Sequence, residues 1–222
     1  MGELDLDFST NLLAPHKLVC AINCQYEAIR DLIDEIQGNF SKRKEELEHR
    51  KKTELSKIHV CENCDDQNNL SPEERGIQDY YDYQEEVIWN MENYFCHSAL
   101  IMTYSYFESL VQALCEEKGK KTCNHVKENI RMLLSDEHIQ FTDEVHKVNE
   151  YVTVDLKNVR NLLTHNYNGT AKNDQLESAR KEAEKGIGLN LYNNELVVIE
   201  YQYVIQALEK VNEILLELAK VL

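Results

Sequence analysis

Chain breakers are scarce. Two prolines and seven glycines in 222 residues leave little to interrupt helices. No apolar run approaches the roughly 18 residues a membrane-crossing helix needs, so none is predicted. The opening residues, Met1 to Asp7, are acidic rather than basic, which predicts no secretory signal. Seven cysteines are an odd number for a disulfide framework. With no leader, they point to reduced thiols and a cytoplasmic protein. Gly-rich phosphate loops, nucleophile elbows and His-Glu-x-x-His zinc motifs are all missing, and no cofactor or metal is predicted. Basic charge is also in deficit. Lys and Arg number 24 against 40 Asp and Glu, a formal charge of −16. Such a chain repels nucleic acid at long range, so any contact with phosphates must be local.

What is present is helical periodicity. Ile22, Tyr26, Ile29, Ile33, Ile36 and Phe40 repeat four-three-four-three-four, a coiled-coil-like seam in a long helix starting near Leu18. Residues 16–66 are expected to form this long N-terminal helix or a helical hairpin, with Gly38 and Asn39 as a bending point. Its second half is charge-rich, with seven basic against four acidic residues over 41–58. That is the pattern of a solvated face laced with i,i+4 pairs, or of a surface touching an RNA backbone. Cys61-x-x-Cys64 is half a zinc site. Its other half would be Cys20 and Cys24, about 60 Å away along a continuous helix, so no metal site is expected.

Ser71-Pro72-Glu73-Glu74 is a helix start with a capping box, and Gly76 suggests a restart near Asp79. Tyr80, Tyr81, Tyr83, Trp89, Tyr94 and Phe95 read as helix-packing residues. Leu100, Tyr104, Phe107, Val111 and Leu114 form a further apolar seam. Short helices are expected over 126–134 and 143–151, then one over 151–165 and a charged segment over 172–185. Leu189 and Leu191, then Asn193-Asn194, then Leu196 to Ile199 predict a β-hairpin. Val204, Leu208, Val211, Leu215, Leu218 and Leu222 mark a final amphipathic helix. The chain therefore reads as a single all-α domain over 1–222. It is an antiparallel helical bundle with a long N-terminal helix and a small hairpin before the C-terminal helix.

The chemistry concentrates in Arg160-Asn161-Leu162-Leu163-Thr164-His165-Asn166-Tyr167. Val152, Leu156, Val159 and Leu163 give the helix carrying it one apolar stripe, and Asn166, Asn168 and Gly169 predict its end. Arg160 and Tyr167 lie about 20° off a common face, whereas His165 points roughly 140° from Arg160. One substrate can meet both only if the helix end unwinds or a second chain completes the site. The histidine titrates near neutral pH and can move a proton. The arginine stays charged and offers a planar fork to phosphate oxygens.

This pattern, Arg160-Asn161-x3-His165-x-Tyr167, resembles the HEPN family (higher eukaryotes and prokaryotes nucleotide-binding domain), most securely over residues 79–222. The resemblance implies a metal-independent RNA endonuclease of toxin or antiviral-defence type. It would act as a homodimer whose cleft is formed by Arg160 and His165 of both chains and would leave a 2′,3′-cyclic phosphate. Asn161 would orient the pair. Glu108, in a segment similar to the family's second conserved helix, would contact the motif. Tyr167 matches the hydroxyl that a partner antitoxin adenylylates in related toxins. An antitoxin or other regulatory protein is thus an implied partner, alongside the RNA substrate. The alternative is a HEPN-like protein-interaction module without catalysis, which the acidic balance favours.

Overall fold

Two helices of unusual length set the architecture. The computed structural model describes residues 15–58, 71–135, 141–165, 173–192 and 196–221. Helix α1 runs Pro15–Ile58, and α2 runs Pro72–Glu117. At 1.5 Å per residue they are about 66 and 69 Å long. The capping box at the start of α2 forms as expected. The Glu74 backbone N–H donates to the Ser71 hydroxyl at 3.2 Å, and the Glu74 carboxylate accepts the Ser71 N–H at 2.7 Å.

The two helices are antiparallel. Glu92 accepts from Gln37 at 2.6 Å and pairs with Lys44, while further along α1 Lys51 meets Asp82 at 2.7 Å. Phe40 rests against Phe95, with ring centroids 6.0 Å apart. Gly76 and Gly38 interrupt neither helix. A restart near Asp79 therefore does not occur. Glu74, Tyr81 and Ile88 are buried at seven-residue intervals across it. Packing at that period outweighs the roughly 1 kcal/mol that one helical glycine costs.

Among the described residues, five further helices, a π-helical turn and the hairpin complete one end of the α1–α2 pair. Helix α3 spans Val126–Ser135 and α4 Asp143–Glu150. A π-helical turn, Tyr151–Leu156, joins α4 directly to α5, Lys157–His165, so the rod does not begin afresh at Tyr151. Helix α6 covers Asn173–Glu184, resolving the charged segment as helix. Strands β1 (Leu189–Tyr192) and β2 (Leu196–Ile199) pair antiparallel, with Leu189 opposite Ile199. Their turn at Asn193-Asn194 lies outside the described residues. Helix α7, Tyr201–Val221, then packs along α1 and α2. Tyr201 donates to Asp34 at 2.6 Å, and Arg30 lies 3.7 Å from Glu209.

The core gathers Ile22, Leu100, Phe107, Leu156, Leu162, Leu208 and Leu215, all but sealed from solvent. Fully burying each such side chain is worth about 1.5–3 kcal/mol. Past Ile33 no described residue of α1 is fully buried. The far half of α1 and the first half of α2 thus form a two-helix arm beyond the reach of α7. Along that arm the packing expectation for the aromatics holds only in part. Tyr81 is buried, but Tyr80, Tyr83, Trp89 and Tyr94 are exposed, because one neighbouring helix can cover only one face.

The hairpin is anchored to α2 twice. Asn93 accepts the Ile199 N–H at 3.1 Å, and the His97 ring lies 3.1 Å from the Val197 carbonyl. Burial holds the His97 pKa below its ordinary value. Gly188, with φ +74°, turns the chain into β1, and its carbonyl accepts from the Glu200 N–H at 2.7 Å. A Cβ there would come within 3.1 Å of the Glu200 Cβ and 3.3 Å of the Tyr203 nitrogen. Gly188→Ala is therefore expected to destabilise the fold by about 1–3 kcal/mol. Gly38→Ala, in helix and open space, should stabilise it by about 0.5–1 kcal/mol. Urea unfolding of both variants checks the opposite signs.

Candidate functional site around Arg160

Helix α5 is held by its apolar face. Val152, Leu156, Val159 and Leu162 are completely enclosed, and Leu163 is half-buried beside them. Arg160 follows Val159 and is thereby carried to the edge of the α2 contact. Its guanidinium meets three groups there. Nη2 donates to Glu108 Oε2 at 2.6 Å, and Nη1 donates to Asn161 Oδ1 at 2.9 Å. Cζ lies 4.6 Å from the centre of the Tyr104 ring. That separation gives a cation–π contact, worth more as water is excluded. The Arg160 side chain is 20% exposed and that of Glu108 36%.

Tyr104 and Glu108 are one turn apart on α2, so the same face supplies both the platform and the counter-ion. Tyr104 is fully buried, and its hydroxyl has no hydrogen-bond partner among the described residues. Burial, with the Glu108 carboxylate nearby, raises its pKa well above the ordinary phenol value. The Nε of Arg160 is likewise buried and unpartnered. Of the five guanidinium N–H donors, two are committed to Glu108 and Asn161. The remaining hydrogens on Nη1 and Nη2 are the ones a phosphate oxygen could use.

The hydroxyl of Thr164 donates back to the carbonyls of Arg160 and Asn161, at 3.1 Å each, and firms the last turn. The far side of the rod is tied to α6. Asn158 donates to Ser178 at 3.0 Å, and Lys181 pairs with Asp155 at 2.7 Å.

Three of the residues singled out in the sequence, Arg160, Asn161 and Glu108, therefore stand in direct contact. His165 is the last residue of α5, and its backbone follows Arg160 by five helical positions. Its side chain lies outside the described residues, as does the whole of Tyr167. Cys61 and Cys64 also fall outside them. Cys20 and Cys24 are exposed and free on α1. Tyr104 was legible only as a seam residue. Its place four before Glu108 was the available clue to its second role.

The chain matches no protein-family model, and no curated protein and no solved structure is significantly similar to it. Among the described residues, no helix is long and apolar enough to cross a membrane.

Replacing Tyr104 with Leu keeps apolar volume but removes the ring beneath the cation. The variant is expected to lose about 1–3 kcal/mol of stability. It should also show faster Arg160 Nε–H exchange in solution NMR. Unchanged exchange in a folded variant would mean that the ring does not hold the guanidinium.

Proposed function

We propose that this chain is a metal-independent RNA endonuclease that works as a homodimer, with Arg160 and His165 of both copies lining one cleft. The observation that carries this reading is the fixed guanidinium. Arg160 is held by Glu108, Asn161 and the Tyr104 ring, with hydrogens on Nη1 and Nη2 uncommitted among the described residues. A pre-oriented cation of this kind suits stabilisation of charge developing at phosphorus. In the proposed reaction, His165 of one copy takes the proton from a ribose 2′-hydroxyl, which attacks the adjacent phosphorus. Arg160 stabilises the charge on the phosphorane oxygens. His165 of the second copy gives a proton to the departing 5′-oxygen, leaving a 2′,3′-cyclic phosphate and a 5′-hydroxyl. DNA lacks the nucleophile and is not a substrate.

Glu108 has a double part in this scheme. It neutralises Arg160 in the resting protein, which moderates attraction to phosphates already weakened by the −16 charge. It also fixes the fork in one plane. A toxin or antiviral-defence role fits such restrained activity. Tyr167, two residues past His165, is then the hydroxyl through which an antitoxin could silence the site. Adenylylation there would add bulk and negative charge, which disfavours RNA at a cationic site.

A second reading has its own support. The neutral flank of α2 exposes Tyr80, Tyr83, Met91, Tyr94 and Met102. Apolar exposure of this extent suits a protein partner, in which case the chain is an interaction module and the Arg160–Glu108 pair is structural.

The two readings separate in one assay. Purified protein is incubated with a mixed RNA pool in excess chelator, beside His165→Ala and Arg160→Gln. The ribonuclease reading expects cyclic-phosphate ends with wild type, and a rate lowered by about 100-fold or more in each variant. Folded, dimeric wild type that cuts no faster than His165→Ala would leave the interaction module standing.

A further inference from the structure

Helix α2 carries two seams, and the fold of one chain uses only the inner one, which packs on α1, α5 and α7. On the outer face Tyr80, Gln84, Val87, Met91, Tyr94 and Ser98 repeat four-three-four-three-four, and Ile101 and Ser105 continue the pattern. Among the described residues this outer seam is left open to solvent. Tyr80, Met91 and Tyr94 are 56%, 46% and 62% exposed, and Ser98 and Ser105 are exposed beside them. We infer that it is the docking surface of a second copy of this chain, with the two α2 helices side by side and parallel about a two-fold axis. A seam of this period, sustained over more than three heptads, is the pattern of a helix that pairs with another along its length.

Charge decides whose helix it pairs with. Two copies that each carry −16 repel one another at a distance. A two-fold contact also sets residues on the axis against their own counterparts, so a charged face would repel itself. From Tyr80 to Gln112 the charged residues are Asp82, Glu85, Glu86, Glu92 and Glu108. On an ideal helix they share an arc of about 160°, and the seam lies on the uncharged remainder. In a chain that is 29% charged, a long neutral face is the one that self-association requires.

The side chains suit close packing. Ser98 and Ser105 are small, and their hydroxyls donate back to the carbonyls of Tyr94 and Ile101, at 2.9 Å each. Neither serine brings an unpaired donor to the contact. Tyrosine and methionine are residue types that interfaces favour. Size is sufficient as well. Tyr80 to Gln112 spans about 48 Å, and a strip of that length, one helix diameter wide, removes roughly 1,000 Å² from solvent over two copies. That reaches the size of a specific interface.

Orientation follows from the Arg160 site. Seven residues beyond Ile101 the seam arrives at Glu108, the partner of Arg160. Parallel pairing sets the two Arg160–Glu108 pairs on either side of the axis. Antiparallel pairing about the middle of the seam would part them by more than about 40 Å. The orientation rests on the reading of that site as one completed by a second copy; the surface itself does not.

The test is sedimentation of the full chain, with Met91→Glu/Tyr94→Glu as the variant and Trp89→Glu as the control. Trp89 is exposed on α2 but lies about 140° around it from Tyr94. Wild type is expected to be dimeric at about 10 μM, and the double variant to associate at least about 100-fold more weakly. Trp89→Glu should match wild type. Wild type that stays monomeric at about 100 μM would overturn the proposal. Equal association by wild type and the folded double variant would overturn it too. Ser98→Cys and Ser105→Cys report the orientation, since parallel pairing expects each to gain a disulfide between copies under oxidised glutathione, beyond any that wild type forms. A dimer in which either fails to cross-link would contradict the parallel arrangement. Dimeric wild type that leaves RNA intact, with the double variant monomeric, would count against the ribonuclease reading alone and support this surface.

Discussion

A guanidinium keeps its charge at any ordinary pH, so a fold that covers one must surround it with acceptors or π-density. At Arg160 that demand is met across elements rather than within one. Glu108 and Tyr104 come from α2, Asn161 from α5, and all three touch the same planar group. Helix α5 cannot slide or rotate on α2 without leaving the cation partly unpaired. The apolar face beneath it, from Val152 to Leu162, could tolerate small shifts because dispersion contacts are not directional. The ion pair supplies the direction. The candidate chemistry inherits this constraint, since a catalytic cation is useful only if it is already aimed.

The long helices answer a different problem. Their heptad-like seams were plain in the sequence, and α1 and α2 form along them. Less visible was that Gly76 and Gly38 would be tolerated. A glycine weakens a helix locally, but around Gly76 the residues buried at every seventh position, Glu74, Tyr81 and Ile88, hold α2 in register. The exposure of Tyr80, Tyr83 and Tyr94 could not be read from composition either. A tyrosine facing a third helix and one facing water occupy the same kind of position in the pattern. The reach of α7, whose first residue Tyr201 meets Asp34 of α1, decides between them.

The candidate site was legible unevenly for a similar reason. Arg160, Asn161 and Glu108 could be named because their residue types are costly to cover and so stand out. Tyr104 could not, since a ring in an apolar seam looks the same whether or not a cation rests on it.

The Arg160–Glu108 contact is expected to couple α5 to α2 energetically, rather than merely lie across their boundary. A double-mutant cycle measures this directly, using urea unfolding of wild type, Arg160→Gln, Glu108→Gln and the double variant. A favourable coupling energy of about 1–3 kcal/mol is expected, with each single variant less stable than additivity with the double would require. Strictly additive effects, with a coupling indistinguishable from zero, would contradict it and reduce the pair to a surface contact.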